Sequence, residues 1–116
     1  MKNDNVIQNK SFAFAIRVVN TYKELQSNRE YILSKQFLKS GTSIGANVEE
    51  AIGGQSKADF ISKLSIAYKE ARETLYWIKL LCATEYLSKE IGDDLASDAG
   101  EICRIIGKIQ ITSKKP

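Results

Sequence analysis

A chain of 116 residues has the usual length of one domain, and its 43% hydrophobic and 27% charged residues exclude a disordered or fibrous protein. The formal net charge of +3 is too small to indicate a nucleic-acid-binding protein by itself. The chain contains no histidine, which excludes the commonest general base, the commonest metal ligand and every nucleophile that depends on histidine. We therefore expect a single domain spanning residues 1–116 that is not an enzyme and holds neither a metal nor another cofactor.

The first ten residues are polar where a secretory signal peptide would be apolar. No apolar run approaches the roughly 20 residues that a membrane-spanning helix needs, so we expect a cytoplasmic protein without a membrane partner. The only proline is Pro116, so every earlier segment lacks the strongest breaker of helical structure. Long helices are therefore permitted along the whole chain.

Helix 1 is predicted from about Ser11 to Gln26, because apolar residues recur there at three- and four-residue steps. Its first apolar row consists of Phe12, Ala15, Ile16, Val19 and Tyr22. A second row beside it consists of Phe14, Val18 and Leu25. The combined stripe is wider than packing against two neighbouring helices requires, which leaves room for a further partner.

Helix 2 is predicted from about Glu30 to Ile52, where the glycines Gly53 and Gly54 stop it. Its apolar side consists of Leu33, Phe37, Ile44, Val48 and Ala51. The interior of this helix is unusual, because Gly41 and Gly45 each cost about 1 kcal/mol there relative to alanine. Their four-residue spacing favours close approach of another helix, with a ligand site as the alternative.

Helix 3 is predicted from the capping residue Ser56, which Asp59 follows at the third position, to about Glu85. Helix 4 is predicted to start after Ser88 and to end near Thr112. The apolar side of helix 3 consists of Phe60, Leu64, Ala67, Ala71, Ile78 and Leu81, and that of helix 4 of Ile91, Leu95, Ala99, Ile102, Ile106 and Ile109. The charges of helix 4 run from acidic to basic, as the helix dipole favours.

Four helices with three short connections and no strand-like alternation predict an all-α fold. The simplest packing is an antiparallel up-down-up-down four-helix bundle. Cys82 and Cys103 lie in apolar helical surroundings without the spacing of a redox or zinc motif, so we interpret both as small core residues.

Two polar rows are expected to face each other across helices 2 and 3. The row on helix 2 consists of Gln36, Ser40, Ser43, Asn47 and Glu50, and the row on helix 3 of Lys63, Ile66, Glu70, Glu73 and Trp77. Water is one possible environment for the helix 2 row, but its short side chains favour a partly buried seam against a helix or subunit. Two carboxylates can suggest acid–base catalysis, yet with neither histidine nor a metal-ligand set we expect Glu70 and Glu73 to be structural.

Candidate phosphate-contacting residues form small basic clusters on three helices. They are Lys10 and Arg17 on helix 1, Lys35 and Lys39 on helix 2, and Lys69, Arg72 and Lys79 on helix 3. Each cluster alone is typical of a solvated surface. Repetition of one weak cluster around a symmetric oligomer would multiply the phosphate contacts and hence the affinity for RNA.

Two segments carry a resemblance to a known family, SKQFLKSGTSIGANVEEA (Ser34 to Ala51) and QSKADFISKLSIAYKEARETLYWIKLL (Gln55 to Leu81). Over nearly its whole length the chain resembles the four-helix-bundle proteins encoded within intervening sequences of bacterial 23S ribosomal RNA genes. The resemblance implies a ring-like homopentamer, similar to the accessory proteins of diversity-generating retroelements, which bind a reverse transcriptase and RNA through basic surfaces. It also implies a structural role for the family-pattern residues Ser43, Asn47, Glu50, Lys63, Glu70, Glu73 and Trp77.

The leading hypothesis is therefore a non-enzymatic homo-oligomer that binds ribosomal or other structured RNA, or a ribonucleoprotein partner, through repeated basic clusters. The main alternative is a protein-interaction scaffold without affinity for nucleic acid. In that alternative, the polar row of helix 2 and the wide stripe of helix 1 form subunit or partner interfaces.

Overall fold

The structure is a computed structural model that describes residues 2–114, with the side chains of residues 6–114. The described residues form four helices and no strand, namely α1 (Lys2–Ser27), α2 (Leu33–Ile52), α3 (Lys57–Ala83) and α4 (Lys89–Ser113). The helices lie side by side in a body of 49 × 21 × 19 Å. The predicted all-α fold with four helices is confirmed. None of these helices combines the length and the apolar character that crossing a membrane requires.

Each helix packs against two of the others. The packed pairs are α1 with α2, α2 with α3, α3 with α4, and α1 with α4. Within residues 2–114, the diagonal pairs α1–α3 and α2–α4 bring no Cα atoms within 8 Å of each other. In cross-section the four helices therefore occupy the corners of a square, with α1 diagonally opposite α3.

Side-chain capping explains where three of the helices begin. Ser56 and Ser88 accept hydrogen bonds from the backbone N–H groups of Asp59 (3.0 Å) and Ile91 (3.2 Å), as expected for the N-caps of α3 and α4. The prediction for α2 is wrong by three residues, because Glu30 precedes the helix. Its buried carboxylate accepts hydrogen bonds of 2.8–3.1 Å from the backbone N–H groups at positions 32–34, so it caps α2 from outside.

The start of α1 lies nine residues before the predicted Ser11. Only three apolar residues, Met1, Val6 and Ile7, occur among the first ten, so no repeating apolar pattern marks this part of the helix. One of them, Ile7, is buried in the core. The next residue, Gln8, donates hydrogen bonds of 2.9 and 3.1 Å to the carboxylate of Glu49 on α2. These two contacts hold the early turns of α1 against the bundle.

The helix ends do not use glycine in the way that the sequence suggests. Arg29 and Glu85, which follow α1 and α3, have φ angles of 65° and 69° and lie in the left-handed region that favours glycine. Neither Gly53 nor Gly54 has a positive φ angle, although α2 ends at Ile52 as predicted. The Gly53 and Gly54 pair therefore stops the helix without the left-handed cap that glycine usually provides.

The buried side of α1 is not the row that comes first in the sequence pattern. Phe14, Val18 and Leu25 of the second predicted row are buried with Ile7 in the core. Phe12 and Ile16 of the first row are 66% and 49% exposed, so this row supplies the part of the wide stripe that the bundle does not cover. A correction concerns α4, whose Ile91 is also exposed, while Leu95, Ala99, Ile102, Ile106 and Ile109 are buried as predicted.

The rotation of α1 follows from its close contact with α2 at Gly41. A Cβ atom at Gly41 would lie 2.7 Å from both Cγ atoms of Val18, well inside the distance of an ordinary carbon contact. A Cβ atom at Gly45 would lie 3.4 Å from the carbonyl oxygen of Ser11, which is a normal contact distance. Gly41 therefore provides the notch that admits Val18, and Gly45 lies beside it under less constraint.

We predict that Gly41→Ala destabilises the fold relative to Gly107→Ala. Both substitutions gain the same helix propensity, roughly 1 kcal/mol, but a Cβ atom at Gly107 in α4 meets no atom within 4 Å. Overpacking at Gly41 should cost about 1–3 kcal/mol, and urea unfolding of the two variants measures this difference directly. Equal free energies of unfolding would show that Val18 moves aside without cost, and the close contact would then not determine the packing.

Candidate functional site

The two basic residues predicted on helix 1 are held by acidic residues of α4. Arg17 donates a hydrogen bond of 2.8 Å to Asp94 and a second hydrogen bond to Asp98. Lys10 forms an ion pair with Glu101. These contacts join α1 to α4, and they reduce the positive charge that either residue presents to a phosphate. The acidic part of α4 therefore serves as the partner of α1, whereas the sequence suggested only a favourable interaction with the helix dipole.

The ionisation of these side chains reflects the same contacts. Burial lowers the pKa of Arg17, but the hydrogen bonds to Asp98 and Asp94 and the charges of both carboxylates outweigh burial, so that its pKa is raised overall. The hydrogen bond from Lys10, together with its charge, lowers the pKa of Glu101. Arg17 and Glu101 are thus both held in their charged forms at neutral pH.

The other five predicted basic residues are exposed and form no ion pair within residues 6–114. Lys35 and Lys39 lie on α2. Lys69, Arg72 and Lys79 lie on α3, where steps of three and seven residues place them on one outer face. We call this face, with the exposed Tyr76 between its basic residues, the basic face of α3. It is the densest group of unpaired positive charge among the predicted candidates.

Tyr76 belongs to this face but was not among the candidate residues that the sequence pattern predicted. Its side chain is 57% exposed, and its ring centroid lies 5.1 Å from that of Trp77 with the ring planes at 75°. Trp77 in turn donates a hydrogen bond of 3.1 Å from its indole nitrogen to the carboxylate of Glu73. An aromatic residue four positions after Arg72 and three before Lys79 was the signal in the sequence. Basic residues interleaved with an aromatic one are typical of nucleic-acid surfaces.

The polar row of helix 2 contacts α3 at two places, and one of them is a residue of the helix 3 row. Lys63 and Glu50 form an ion pair at 3.2 Å, and the buried hydroxyl groups of Ser40 and Thr74 are hydrogen-bonded at 2.9 Å. Thr74 lies outside the predicted row of helix 3, because a lone threonine among apolar residues gives no sign of a partner. The α2–α3 contact is therefore a partly buried polar seam near these two pairs.

Two other residues of the helix 2 row, Ser43 and Asn47, form hydrogen bonds within their own helix. Ser43 donates to the carbonyl oxygen of Lys39 at 2.6 Å, and Asn47 donates to that of Ser43 at 2.8 Å, so both satisfy groups of their own helix. A cleft of about 650 Å³ opens at the α2–α3 turn, where Glu50 and Lys63 lie among its lining residues. Glu70 and Glu73 do not line that cleft. The geometry thus gives the two carboxylates no shared substrate pocket at this turn.

Cys82 and Cys103 are free, half-buried and packed against the core. Burial raises the pKa of both thiols, which keeps them protonated at neutral pH. Within the described part of the chain, no three acidic or cysteine side chains are grouped so that they could hold a metal ion.

An apolar surface that no other residue of the described structure covers lies on the side of the molecule where α1 meets α2. Phe12 rims a groove of about 280 Å³ that Gly45 and Ala46 line from α2. Phe12 also lines a second groove, of about 250 Å³, with Ile16 and Val19. We call this surface the apolar face of α1. It is built from the first apolar row of helix 1, and it is the surface that the unusually wide stripe of helix 1 creates.

We predict that Glu101→Gln lowers the free energy of unfolding at pH 7 and that the loss disappears in acid. Because the pKa of Glu101 is lowered from its usual 4.5 in the folded protein, its stabilising effect is present above pH 4.5. That effect is lost as the pH falls through the folded-state pKa. Urea unfolding between pH 7 and pH 3 measures this convergence. In a Lys10→Met background, Glu101→Gln should cause a much smaller pH-dependent loss of unfolding free energy. An unchanged loss would mean that a group other than Lys10 lowers the pKa of Glu101.

Comparisons with known proteins place the chain in a family. A family model described as 23S rRNA-intervening sequence protein matches residues 3–108. A solved structure from Bacteroides thetaiotaomicron VPI-5482, described as a protein with unknown function from the S23 ribosomal protein family, is similar with a TM-score of 0.92. It is 50% identical in sequence, and the match covers 94% of this chain and 98% of that one. None of the curated proteins matches the chain. The chain therefore belongs to the 23S rRNA-intervening sequence protein family.

Proposed function

We propose that this protein is a non-enzymatic, cytoplasmic RNA-binding protein that self-associates and presents the basic face of α3 to structured RNA. The observation that carries the proposal is the presence of Lys69, Arg72 and Lys79 on one exposed helix face without an acidic partner in the described structure. Exposed cations without partners contact phosphate without first breaking an ion pair. The family description and the ribosomal family of the similar structure both point to ribosomal RNA as the first ligand to test.

The bundle that presents this face is proposed to be antiparallel, with an up-down-up-down order of helices. Contacts between successive helices support this order. Along α1 and α2, Gln8 contacts Glu49, whereas Gln26 contacts Ser34. Along α3 and α4, Ser65 accepts a hydrogen bond from Gln110 at 2.7 Å. In each pair, early residues of one helix meet late residues of the next, as short connections between antiparallel neighbours require.

Self-association is proposed to use the apolar face of α1, with a second copy of this chain as the occupant. The face combines a projecting aromatic side chain, Phe12, with a groove that contains Gly45 and Ala46. Insertion of Phe12 of one copy into the groove of the next would be a head-to-tail contact, and repeated head-to-tail contacts of this kind close into a ring. The family resemblance implies five subunits in such a ring.

The two proposed surfaces do not compete for space. Because α1 and α3 occupy diagonal corners of the bundle, their outer faces point in opposite directions. A ring closed through α1 therefore leaves the basic face of α3 on each subunit accessible. Repetition of that face would raise the affinity for RNA without any additional basic residue in the chain.

We predict that Lys69→Glu combined with Arg72→Glu weakens RNA binding and leaves the oligomer intact. Loss of two phosphate contacts per bound subunit should reduce the dependence of log K on log salt by about 1.4 for a single strand. Mobility-shift titrations against ribosomal RNA fragments at low and moderate salt measure both effects, and light scattering measures the oligomer mass.

The matched control reverses the charges of Lys23 and Arg29 by the substitutions Lys23→Glu and Arg29→Glu. Both residues are exposed near the end of α1. This double variant has the same net charge but keeps the basic face of α3. An equal loss of affinity in both double variants would mean that net charge alone is responsible, and an unchanged affinity in the first would remove α3 from the RNA-binding surface.

We also predict that Phe12→Asp dissociates the oligomer into folded monomers, whereas Ile111→Asp does not. Both side chains are 66% exposed, so neither substitution places a charge in the core. Only Phe12 belongs to the apolar face of α1, where a carboxylate would be buried between subunits at a cost of several kcal/mol. Light scattering gives the mass and circular dichroism the fold of each variant. If Ile111→Asp dissociates the oligomer and Phe12→Asp does not, the subunit interface lies on α4 and not on α1.

The second candidate function is a protein-interaction scaffold without affinity for nucleic acid. The apolar face of α1 favours it, because an exposed apolar surface on a helix bundle serves protein partners as well as a second copy. The two candidates differ in their response to salt. The RNA-binding protein loses affinity steeply as salt rises, whereas the scaffold shows no RNA binding even at low salt.

A further inference from the structure

We propose that the basic face of α3 binds RNA by stacking an unpaired base on Tyr76, so that it prefers single-stranded or looped RNA to an uninterrupted duplex. This inference rests on the proposed RNA-binding function and specifies its ligand. Bases inside a duplex have both ring faces covered by their neighbours, so only unpaired nucleotides offer a face to a protein side chain.

The position and exposure of Tyr76 suit such a stacking platform. It lies between Arg72 and Lys79 on the basic face of α3, and more than half of its surface is open to solvent. Its contact with Trp77 is edge-to-face at 75° and not parallel. In that arrangement, whichever ring supplies the edge, at least one face of the Tyr76 ring stays outside the aromatic pair.

The neighbours of Tyr76 restrict its movement before RNA arrives. Trp77 is partly buried and packed against the hydrophobic core, so it is a fixed support. The hydrogen bond from the Trp77 indole to Glu73 fixes the orientation of that support further. An aromatic ring that is already held in place loses less conformational entropy on stacking than a free one.

Charge on the same face fits a nucleic acid. Arg72 lies one turn before Tyr76 and Lys79 lies three residues after it, so cations flank the ring on both sides along the helix. With Lys69, the basic positions span roughly 15 Å of the helix axis, which is enough for several phosphates of one strand. The acidic residue of this face, Glu73, accepts the hydrogen bond from Trp77. An acidic peptide would use the cations alone, and the exposed ring between them therefore favours RNA.

The test compares Tyr76→Ala, Tyr76→Leu and Tyr76→Phe in the full-length protein. The probes are fluorescently labelled 12-nucleotide single-stranded RNA, the same sequence as a blunt duplex, and an acidic peptide of matched charge. We expect the alanine and leucine variants to lose roughly 5- to 100-fold in affinity for the single strand, because one base-stacking contact is removed. The phenylalanine variant should bind like the parent protein. Affinity for the duplex should change little in all three variants.

Trp77 supplies a second readout, since it is the only tryptophan of the chain. Its emission should change when the parent protein binds the single strand and change less when it binds the duplex. Circular dichroism and light scattering show whether each variant keeps its fold and oligomer mass. Leucine preserves an apolar side chain of similar reach, so a loss shared by leucine and alanine but not phenylalanine identifies aromatic stacking.

The outcomes separate this inference from the function on which it rests. Binding of single strand and duplex with equal affinity, with no effect of Tyr76→Ala, would overturn stacking while the phosphate contacts of Lys69 and Arg72 remain. Binding of the acidic peptide alone would overturn both the stacking and the RNA-binding function, and would identify α3 as a protein-binding surface. If no probe binds the parent protein at low salt, the proposed function itself is wrong.

Discussion

The contact between Gly41 and Val18 determines the exposed surfaces of this molecule. A helix with two adjacent apolar rows can pack in two rotations, and apolar area alone does not decide between them. At Gly41 the missing side chain creates a notch that accepts Val18, and any Cβ atom there would collide with it. Because Val18 enters this notch, Phe14 and Leu25 turn into the core with it. Phe12 and Ile16 are left outside, and the apolar face of α1 exists as a consequence.

The same rotation distributes the charge of the molecule. Arg17 precedes Val18 in the helix, so seating Val18 on α2 turns Arg17 towards α4, where Asp94 and Asp98 accept its hydrogen bonds. Lys10 lies one heptad earlier and reaches Glu101. The acidic residues of α4 thereby neutralise these two cations of α1. On the opposite corner of the bundle, Lys69, Arg72 and Lys79 of α3 form no ion pair within the described structure, and this leaves one face of the molecule more positive than the sequence composition suggests.

Local signals were enough to predict the number of helices and most of their ends. The caps at Ser56 and Ser88 follow from hydrogen bonds that span three residues, so one segment of sequence contains all the required information. The left-handed conformation of Arg29 and Glu85, which follow α1 and α3, was not recognisable, because residues in that region are expected to be glycine and neither is. The rotation of α1 was not predictable for a different reason. It depends on a glycine in another helix, and no periodicity within helix 1 records that contact.

The candidate site was predictable as a set of residues but not as a surface. In the sequence, Lys10 and Arg17 are equivalent to Lys69 and Arg72, since both pairs lie on one face of a helix. Only the fold shows that the first pair meets carboxylates and the second does not. The polar seam between α2 and α3 shows the same limit, because the partner of Ser40 is Thr74, a residue without any distinguishing pattern around it.

The modest net charge of +3 does not conflict with RNA binding once the charges are located. Three phosphate contacts on a single-stranded RNA correspond to a slope of about −2 in log K against log salt, which is weak binding for one subunit. In the proposed ring, the diagonal arrangement of α1 and α3 would let each subunit offer this face at the same time. A second contact on the same RNA is then intramolecular, and its strength depends on the spacing of subunits and not on further basic residues. Because one basic face binds RNA weakly, the protein would select RNA that is long enough to reach more than one subunit and that contains unpaired nucleotides.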